Sequence, residues 1–433
     1  MNTIVIDCGA SFVKGALFCG GKKEREIKSP APGASVEPLR TTGKIIRLRE
    51  LVREMISELC RDIKESILCI SNEMHGFLLT NEEGEPITDY ISWQLDLGDT
   101  RMRAEELPIS EAVLETGMPV RGGLPSSNLS WLLTHDRIPP KCSFYTLGDY
   151  LLRFLSKTRP KIHITNAAAT GLFNLKKKEW DSDILGYIRA ENVIFPQIVT
   201  DSAPEIVDFR LNKTGIHALP AIGDQQAALL GAGLKKTDTL SVNMGTGAQV
   251  SRLSDSPVFG RSWQVRPYFW DQYLLTIPFI PSGRAINVYF RFIRSVLERY
   301  GERRTDEEIW QGILASAEDG EKTGMKVDLG FFENAVNDST RGSLSEIGEN
   351  ELTMENLFAS VIDQMIENCL RKADELWEDR TFLHKLLLSG GITDRIATVR
   401  ERFGKHFTNC EKLTAEGDTL EGLMKYAEMQ MRS

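Results

Sequence analysis

Residues 3–6 form a β-branched run that stops at Asp7-Cys8-Gly9 and resumes over residues 12–18, which predicts a strand, a glycine turn and a second strand. Polar residues 22–28 extend this meander. Ser29-Pro30-Ala31-Pro32-Gly33 then breaks the chain, and beyond it Ile45, Leu48, Val52, Ile56 and Leu59 recur every three or four residues, the stripe of an amphipathic helix. Residues 67–70 are continuously apolar and read as a buried strand. A meander, a helix and a strand in that order is an α/β pattern with antiparallel and parallel neighbours. Near the C-terminus, Leu357, Val361, Met365, Cys369, Lys372 and Leu376 trace a second long helix ahead of an apolar strand at 386–388 and Gly390-Gly391.

The opening segment TIVIDCGASFVK has a counterpart in TLSVNMGTGAQV, where Asp7 matches Asn243 and Gly9 matches Gly245, both at an offset of 236 positions. The offset nearly halves the chain. It predicts two domains on one plan, 1–230 and 231–433, with the boundary near residues 229–238 and each domain opening on a glycine-turned hairpin.

Composition narrows the function classes. A chain of 433 residues with 41% hydrophobic and 26% charged residues is a globular protein of two to three domains, not a disordered or coiled-coil one. With 52 Lys plus Arg against 61 Asp plus Glu, the net charge of -9 repels phosphate backbones and argues against nucleic acid as a partner. No apolar run approaches the roughly 18–20 residues of a membrane span, and the N-terminus lacks a basic stretch before its apolar one. Neither membrane nor secretion is expected. Seven cysteines are scattered without a C-x-x-C pair, which fits a reduced, cytoplasmic chain without a zinc site.

The two glycine turns carry the first candidate chemistry, because glycine permits positive φ and leaves backbone N–H groups free to converge on a phosphate. The first turn offers Gly9, Ser11 and Lys14, with Asp7 as a carboxylate able to hold Mg²⁺ through water; the second offers Gly245, Thr246 and Gly247. Neither the P-loop nor the dinucleotide fingerprint occurs. In Gly223-Asp224-Gln225-Gln226 an acid stands at a helix start, where it reads as an N-cap, as an ionised base toward a hydroxyl attacking a phosphoryl group, or as both. Gly231 and Gly233 beyond it read either as a hinge or as sites of close helix packing. Met74-His75-Gly76 follows a buried strand, and Trp93-Gln94 follows the next turn. A lone histidine reads as structural, but an imidazole, an indole and an amide together suit a polyol. Trp263, Tyr268, Phe269 and Trp270 are assigned to core packing.

Taken in order, D-C-G-A-S-x-x-K, M-H-G, W-Q, G-D-Q-Q-A-A, N-M-G-T-G and S-G-G-I resemble the FGGY carbohydrate kinases, members of the actin-like superfamily with the heat-shock ATPases and actin. The resemblance spans essentially the whole chain, including Leu147-Gly148-Asp149-Tyr150-Leu151, similar to the family's K-D-Y-L segment, and Thr165-Asn166-Ala167-Ala168-Ala169-Thr170-Gly171. It implies an α/β fold of two ribonuclease-H-like domains with a nucleotide and sugar cleft between them, and ATP-dependent, Mg²⁺-assisted phosphorylation of a sugar hydroxyl. Carried over residue by residue, it makes Asp224 the general base. Met74, His75, Trp93 and Gln94 become sugar-site residues, with Asp96 or Asp99 in place of the family's W-x-D acid. Gly9, Ser11, Lys14, Gly245, Thr246 and Gly247 become the phosphate cradle, Asp7 the metal carboxylate, and Gly390 and Gly391 the adenosine turn. Two departures stand out: Ala10 replaces a usual threonine, and Ser389-Gly390-Gly391-Ile392 carries one glycine fewer than the common adenosine turn. The M-H-G segment is similar to pentulose and heptulose kinases rather than glycerol kinases, with sedoheptulose, xylulose and ribulose as acceptors. The implied partners are a small-molecule sugar and a second copy in a homodimer. An actin-type ATPase switch would use the same turns without a sugar pocket; a non-catalytic sugar sensor would have no use for Asp224.

Overall fold

The computed structural model describes residues 1–103, 107–139, 141–260, 262–321, 323–337, 339–377 and 382–432. It divides into two compact units: Met1–Lys235 with Ser254–Leu274 and Glu416–Ser433, and Lys236–Leu253 with Leu275–Ala415. The division at 230/231 follows chain order, whereas packing assigns two later segments to the first unit.

In the first unit β1 (Asn2–Cys8), β2 (Phe12–Cys19) and β3 (Lys22–Pro30) form the predicted meander, and α1 (Gly43–Leu59) leads into β4 (Glu65–Asn72). Two further strands, β5 (Val207–Leu211) and β6 (Thr214–Ala218), complete the sheet order β5-β6-β4-β1-β2-β3, with Ile222–Gly223 also paired to β4. β1 is antiparallel to β2 and parallel to β4, so Asp7 stands beside Lys14 on one side and Ser71 on the other. The stripe Ile45, Leu48, Val52, Ile56 and Leu59, joined by Met55, is the buried face of α1. Each such side chain contributes about 1.5–3 kcal/mol on burial. At Gly15 a Cβ would lie 2.8 Å from Ile6 Cδ1 and 3.0 Å from Leu59 Cδ1, so the glycine lets the helix settle on the hairpin.

After β6 the chain reaches α2 (Asp224–Ala232). The C-terminal helix Thr419–Arg432 packs on it backbone to backbone: a Cβ at Gly231 would lie 1.9 Å from the Asp418 carbonyl oxygen, and one at Gly422 would lie 1.8 Å from that of Ala227. Close packing, not a hinge, is therefore the role of Gly231. Gly233 ends α2 at φ 104°, in the left-handed conformation glycine adopts most easily.

The second unit repeats the plan. β7 (Thr239–Met244) and β8 (Gly247–Ser254) form the second hairpin; β9 (Tyr273–Pro281), the long helix α3 (Met354–Leu376), β10 (Lys385–Ser389) and β11 (Glu411–Thr414) follow. Its strands lie in the order β9-β8-β7-β10-β11, with β7 antiparallel to β8 and parallel to β10. Asn243 stands beside Ser389 as Asp7 stands beside Ser71. All seven cysteines are free. Among the described residues no helix is long and apolar enough to cross a membrane.

Candidate active site

The end of β4 is held by an amide network. Asn72 Oδ1 accepts from the Gly148 amide at 3.2 Å and from Asn166 Nδ2 at 3.0 Å, and Asn166 Nδ2 also donates to the Ala221 carbonyl at 3.0 Å. These contacts draw the Leu147 and Thr165 segments and the approach to α2 around Glu73, Met74 and His75. His75 adopts φ 64°, a conformation that costs a non-glycine residue about 1–2 kcal/mol and orients its ring. Its Nδ1 lies 2.8 Å from the Ala169 carbonyl, which only accepts, so the proton is on Nδ1. Burial, with the charges of Arg266 and Arg121, holds its pKa well below the usual histidine range. The neutral ring therefore leaves Nε2 as an acceptor for a hydroxyl.

Asp224 departs from the expectation in two respects. The N-cap of α2 is Gly223, and Asp224 is the first helical residue, its Oδ1 accepting from the adjacent Gln225 amide at 2.8 Å. One such amide does not keep it strongly acidic: burial first, then the charges of Asp7 and Glu73, push its pKa up to about 7, against the Gln225 amide and Arg266. The side chain retains a partly accessible surface even so. A carboxylate with that pKa takes and returns a proton near neutrality, as a general base must.

The acids that act on it were chosen differently by sequence and by fold. Asp7 lies at the hairpin end, where its Oδ1 accepts from Ser71 Oγ at 2.8 Å; burial raises its pKa, while Ser71 and Lys14 oppose the rise. Glu73, passed over in the sequence, is 7% exposed and raised to about 7 by burial, with Tyr90, Trp93 and Ser92 favouring its charged form. Its signal was adjacency to Met74. Gln225, Gln264, Arg266 and Arg121 were also missed: Gln225 adjoins Asp224, but the others sit in segments without a recognisable pattern. Met74 is buried, with Arg266 Nη1 3.7 Å from its sulfur.

Trp93 is half-buried, and Arg121 lies over its ring at 5.8 Å. Gln94 is exposed and lines a small cleft with Gly9, Ala10, Glu73 and Tyr90. Asp96 is exposed and paired to Arg103 at 3.1 Å. Asp99 is 4% exposed and holds its own loop, accepting from the Met102 amide at 2.9 Å and Ser130 Oγ at 3.2 Å. The aromatic group divides: Tyr268 and Phe269 are core, but Trp270 is 47% exposed in a left-handed turn at φ 58°, contrary to its assignment to the core.

The turns do not use glycine for positive φ, since Gly9, Gly245 and Gly247 all lie outside that region. A Cβ at Gly247 would meet nothing within 4 Å and one at Gly245 nothing nearer than 3.9 Å, whereas one at Gly9 would lie 3.3 Å from the Phe12 carbonyl oxygen. Ser11 and Thr246 are exposed at the turn tips, and Lys14 is half-buried. In the second unit Gly245, Thr246 and Gly391 line a cavity of ≈ 330 Å³ whose walls include Ile286, Trp310, Ile313, Ile362 and Ile392. Gly390 does something else. At φ 97° its missing Cβ would lie 2.5 Å from the Met244 carbonyl oxygen, so it holds the backbone of the hairpin end.

A family model described as the FGGY family of carbohydrate kinases, N-terminal domain, matches residues 2–231. A glycerol kinase of Aquifex aeolicus is 28% identical over 307 residues, 65% of this chain and 58% of that protein, so the chain spans less than two thirds of the relative's length. Among solved structures, the ligand-bound xylulose kinase of Lactobacillus acidophilus superposes with a TM-score of 0.82 at 20% identity, over 100% of this chain and 89% of that one. The glycerol kinase of Plasmodium falciparum with ADP gives 0.78 at 16%, over 100% and 90%. Likeness at these identities establishes the two-domain α/β fold.

Proposed function

The chain belongs to the FGGY family of carbohydrate kinases, and we propose that it transfers the γ-phosphoryl group of ATP to a terminal hydroxyl of a ketose, a pentulose or heptulose. The observation that carries this reading is Asp224, a half-buried carboxylate with a pKa of about 7 that feels Asp7 and Glu73 as well as Arg266. It accepts the proton of the attacking hydroxyl as the new O–P bond forms and ADP departs. His75 Nε2 accepts a hydrogen bond from a second hydroxyl, Met74 and Trp93 form an apolar wall, and Gln94 supplies an amide. The M-H-G segment favours a ketose. Of the two acids after Gln94, Asp96 is exposed, paired to Arg103 and accepting from the Gly98 amide, while Asp99 anchors its loop.

The chain's residues also suit MgATP. Asp7 Oδ1 is taken by Ser71, and its position beside Lys14 at a turn with no Cβ at Gly9 suits a hard cation held through water and phosphate oxygens. Among the described residues no group of three or more His, Cys, Asp or Glu side chains is placed to hold a metal ion. When bound, MgATP supplies the phosphoryl group, and the metal offsets charge on its oxygens. Within the first unit Gly9, Ser11 and Lys14 offer amides, a hydroxyl and a cation that suit phosphate oxygens, and within the second Gly245, Thr246 and Gly247 offer amides and a hydroxyl of the same kind. The apolar cavity beside Gly391 takes the adenosine.

The test is a panel of ketoses, polyols and aldoses with MgATP, reading ADP release. Release stimulated by a ketose is expected. Release indifferent to every acceptor would instead place the chain with ATPase switches.

A further inference from the structure

Trp270 is 47% exposed, and neither the proposed acceptor site nor the adenosine cavity uses it. It follows the strand Gln264–Pro267 in the turn Phe269–Gln272, which closes where the Gln272 amide donates to the Phe269 carbonyl at 3.3 Å. Both central residues are left-handed, Trp270 at φ 58° and Asp271 at φ 59°. Turns of this kind take asparagine, aspartate or glycine at those positions, so turn chemistry accounts for Asp271 but not for a bulky indole beside it. The indole lines a cavity of ≈ 190 Å³ within the first unit, whose apolar walls are Ile164, Pro267, Tyr273 and Met429.

Asp201 gives the same cavity a polar group that is held in place. His163 is fully buried, and its Nδ1 accepts from the Thr165 amide at 3.3 Å, so its proton is on Nε2, which donates to Asp201 Oδ1 at 3.1 Å. Gln430 Nε2 donates to the same oxygen at 3.3 Å. Two neutral donors thus fix Oδ1 without cancelling the charge, and among the described residues nothing donates to Oδ2. The second carboxylate of the lining, Asp271, is paired to Lys178 at 3.1 Å. Two carboxylates against one ammonium disfavour the phosphates of a nucleotide or of a phosphorylated product. A neutral ligand with hydroxyl donors meets no such opposition. The volume lies below the roughly 300–1,000 Å³ of pockets for drug-sized ligands, which suits a single sugar ring.

We infer that this cavity is a second carbohydrate site, in which a neutral monosaccharide lays the C–H face of its ring on the Trp270 indole and donates a hydroxyl to Asp201 Oδ2. None of the residues lining it is among those proposed for the acceptor or the nucleotide. The inference rests on the kinase reading for the choice of sugar: the acceptor ketose is the neutral polyol this chain handles. A hydroxyl bonded to a carboxylate is a charge-assisted contact that strengthens binding about 10- to 100-fold, and the indole adds apolar area that keeps its shape on binding.

The test is equilibrium dialysis of the full-length chain, without nucleotide, against labelled xylulose and labelled sedoheptulose. Two molecules of one of these sugars per chain are expected. Trp270→Ala and Asp201→Asn should each weaken the second molecule about 10-fold or more and leave the first in place; the asparagine keeps an acceptor for His163 but removes the charge. Trp270→Ala should also leave kcat and the acceptor KM of ADP release within about 2-fold, because the two sites share no residue. No more than one molecule per chain in wild type would overturn the inference and leave the kinase reading intact, whereas two bound molecules without ketose-stimulated ADP release would remove the kinase reading alone. Displacement of the second molecule by a short alkylamine at lower concentration than by unlabelled sugar would make the cavity a cation site. A parallel rise of the acceptor KM in Trp270→Ala would assign the indole to the acceptor site; either result would overturn the inference.

Discussion

β1 and β7 hold the same place in their sheets, each between an antiparallel hairpin partner and a parallel strand, and each turns its penultimate side chain to a serine on the parallel strand. Asp7 accepts from Ser71 Oγ at 2.8 Å, and Asn243 Nδ2 donates to Ser389 Oγ at 3.0 Å. The frame is shared and the charge is not. After Ser71 the chain continues through Asn72 and Glu73 into Met74-His75-Gly76; after Ser389 it continues through Gly390 and Gly391 beside a largely apolar cavity. One copy concentrates acids that raise the pKa of a base, and the other puts the amide of Asn243 where the first has a carboxylate. A repeated fold fixes where a side chain stands, and the residue placed there decides whether the position holds charge or shape.

The largest expected effect removes the base. Asp224→Asn should lower kcat by about 100- to 10,000-fold while the protein stays folded, since Asp224 is not the cap of α2. Near wild-type turnover in a folded variant would make Asp224 structural. Its stability has a definite sign with pH. The folded-state pKa is raised, so this carboxyl supports the fold at low pH and progressively opposes it as pH rises from about 4 to about 7. The variant should therefore gain more in Tm relative to wild type at pH 8 than at pH 5.

Exchanging the two serine partners tests the comparison itself. Asp7→Asn and Asn243→Asp each install a pairing the chain already contains, so both should fold. Asp7→Asn should lower kcat about 100-fold and raise the Mg²⁺ requirement, whereas Asn243→Asp should raise the ATP KM about 10-fold by placing a carboxylate near phosphates. Similar effects from both would mean that the hairpins are not specialised. His75→Ala should raise the acceptor KM about 10-fold or more and leave the ATP KM within about 3-fold; parallel changes would make His75 structural.

The smallest effects separate two adjacent glycines. Gly390→Ala should cost about 1–3 kcal/mol of stability, because φ is 97° and its Cβ would strike the Met244 carbonyl. Gly391→Ala meets nothing within 4 Å and should leave Tm nearly unchanged while raising the ATP KM a few-fold. Equal Tm losses would contradict this division.

Much of this was legible in the sequence wherever local pattern and function coincide. The α1 stripe, both hairpins and the 236-position offset are periodic or repeated, and Asp224 and His75 stand in contiguous motifs. Residues brought together only by tertiary packing were not. The segments Ser254–Leu274 and Glu416–Ser433 pack with the first unit because of contacts formed far along the chain, and Arg266 arrives with one of them. In sequence Gly390 and Gly391 are equivalent; only backbone conformation separates them. The expected ionisation of Asp224 failed for a related reason, since Glu73 and the surrounding burial enter only in three dimensions.

The central claim is that Asp224 is a base tuned to neutrality for an acceptor hydroxyl. The direct measurement is acceptor-dependent ADP release by wild type and Asp224→Asn from pH 5 to 9, analysed as kcat/KM so that the pKa of the free enzyme is read. The account predicts activity that rises tenfold per pH unit below about 7, levels off above it, and is nearly lost in the variant at every pH. A pH-independent profile, or acceptor-independent ADP release that survives in Asp224→Asn, would contradict it.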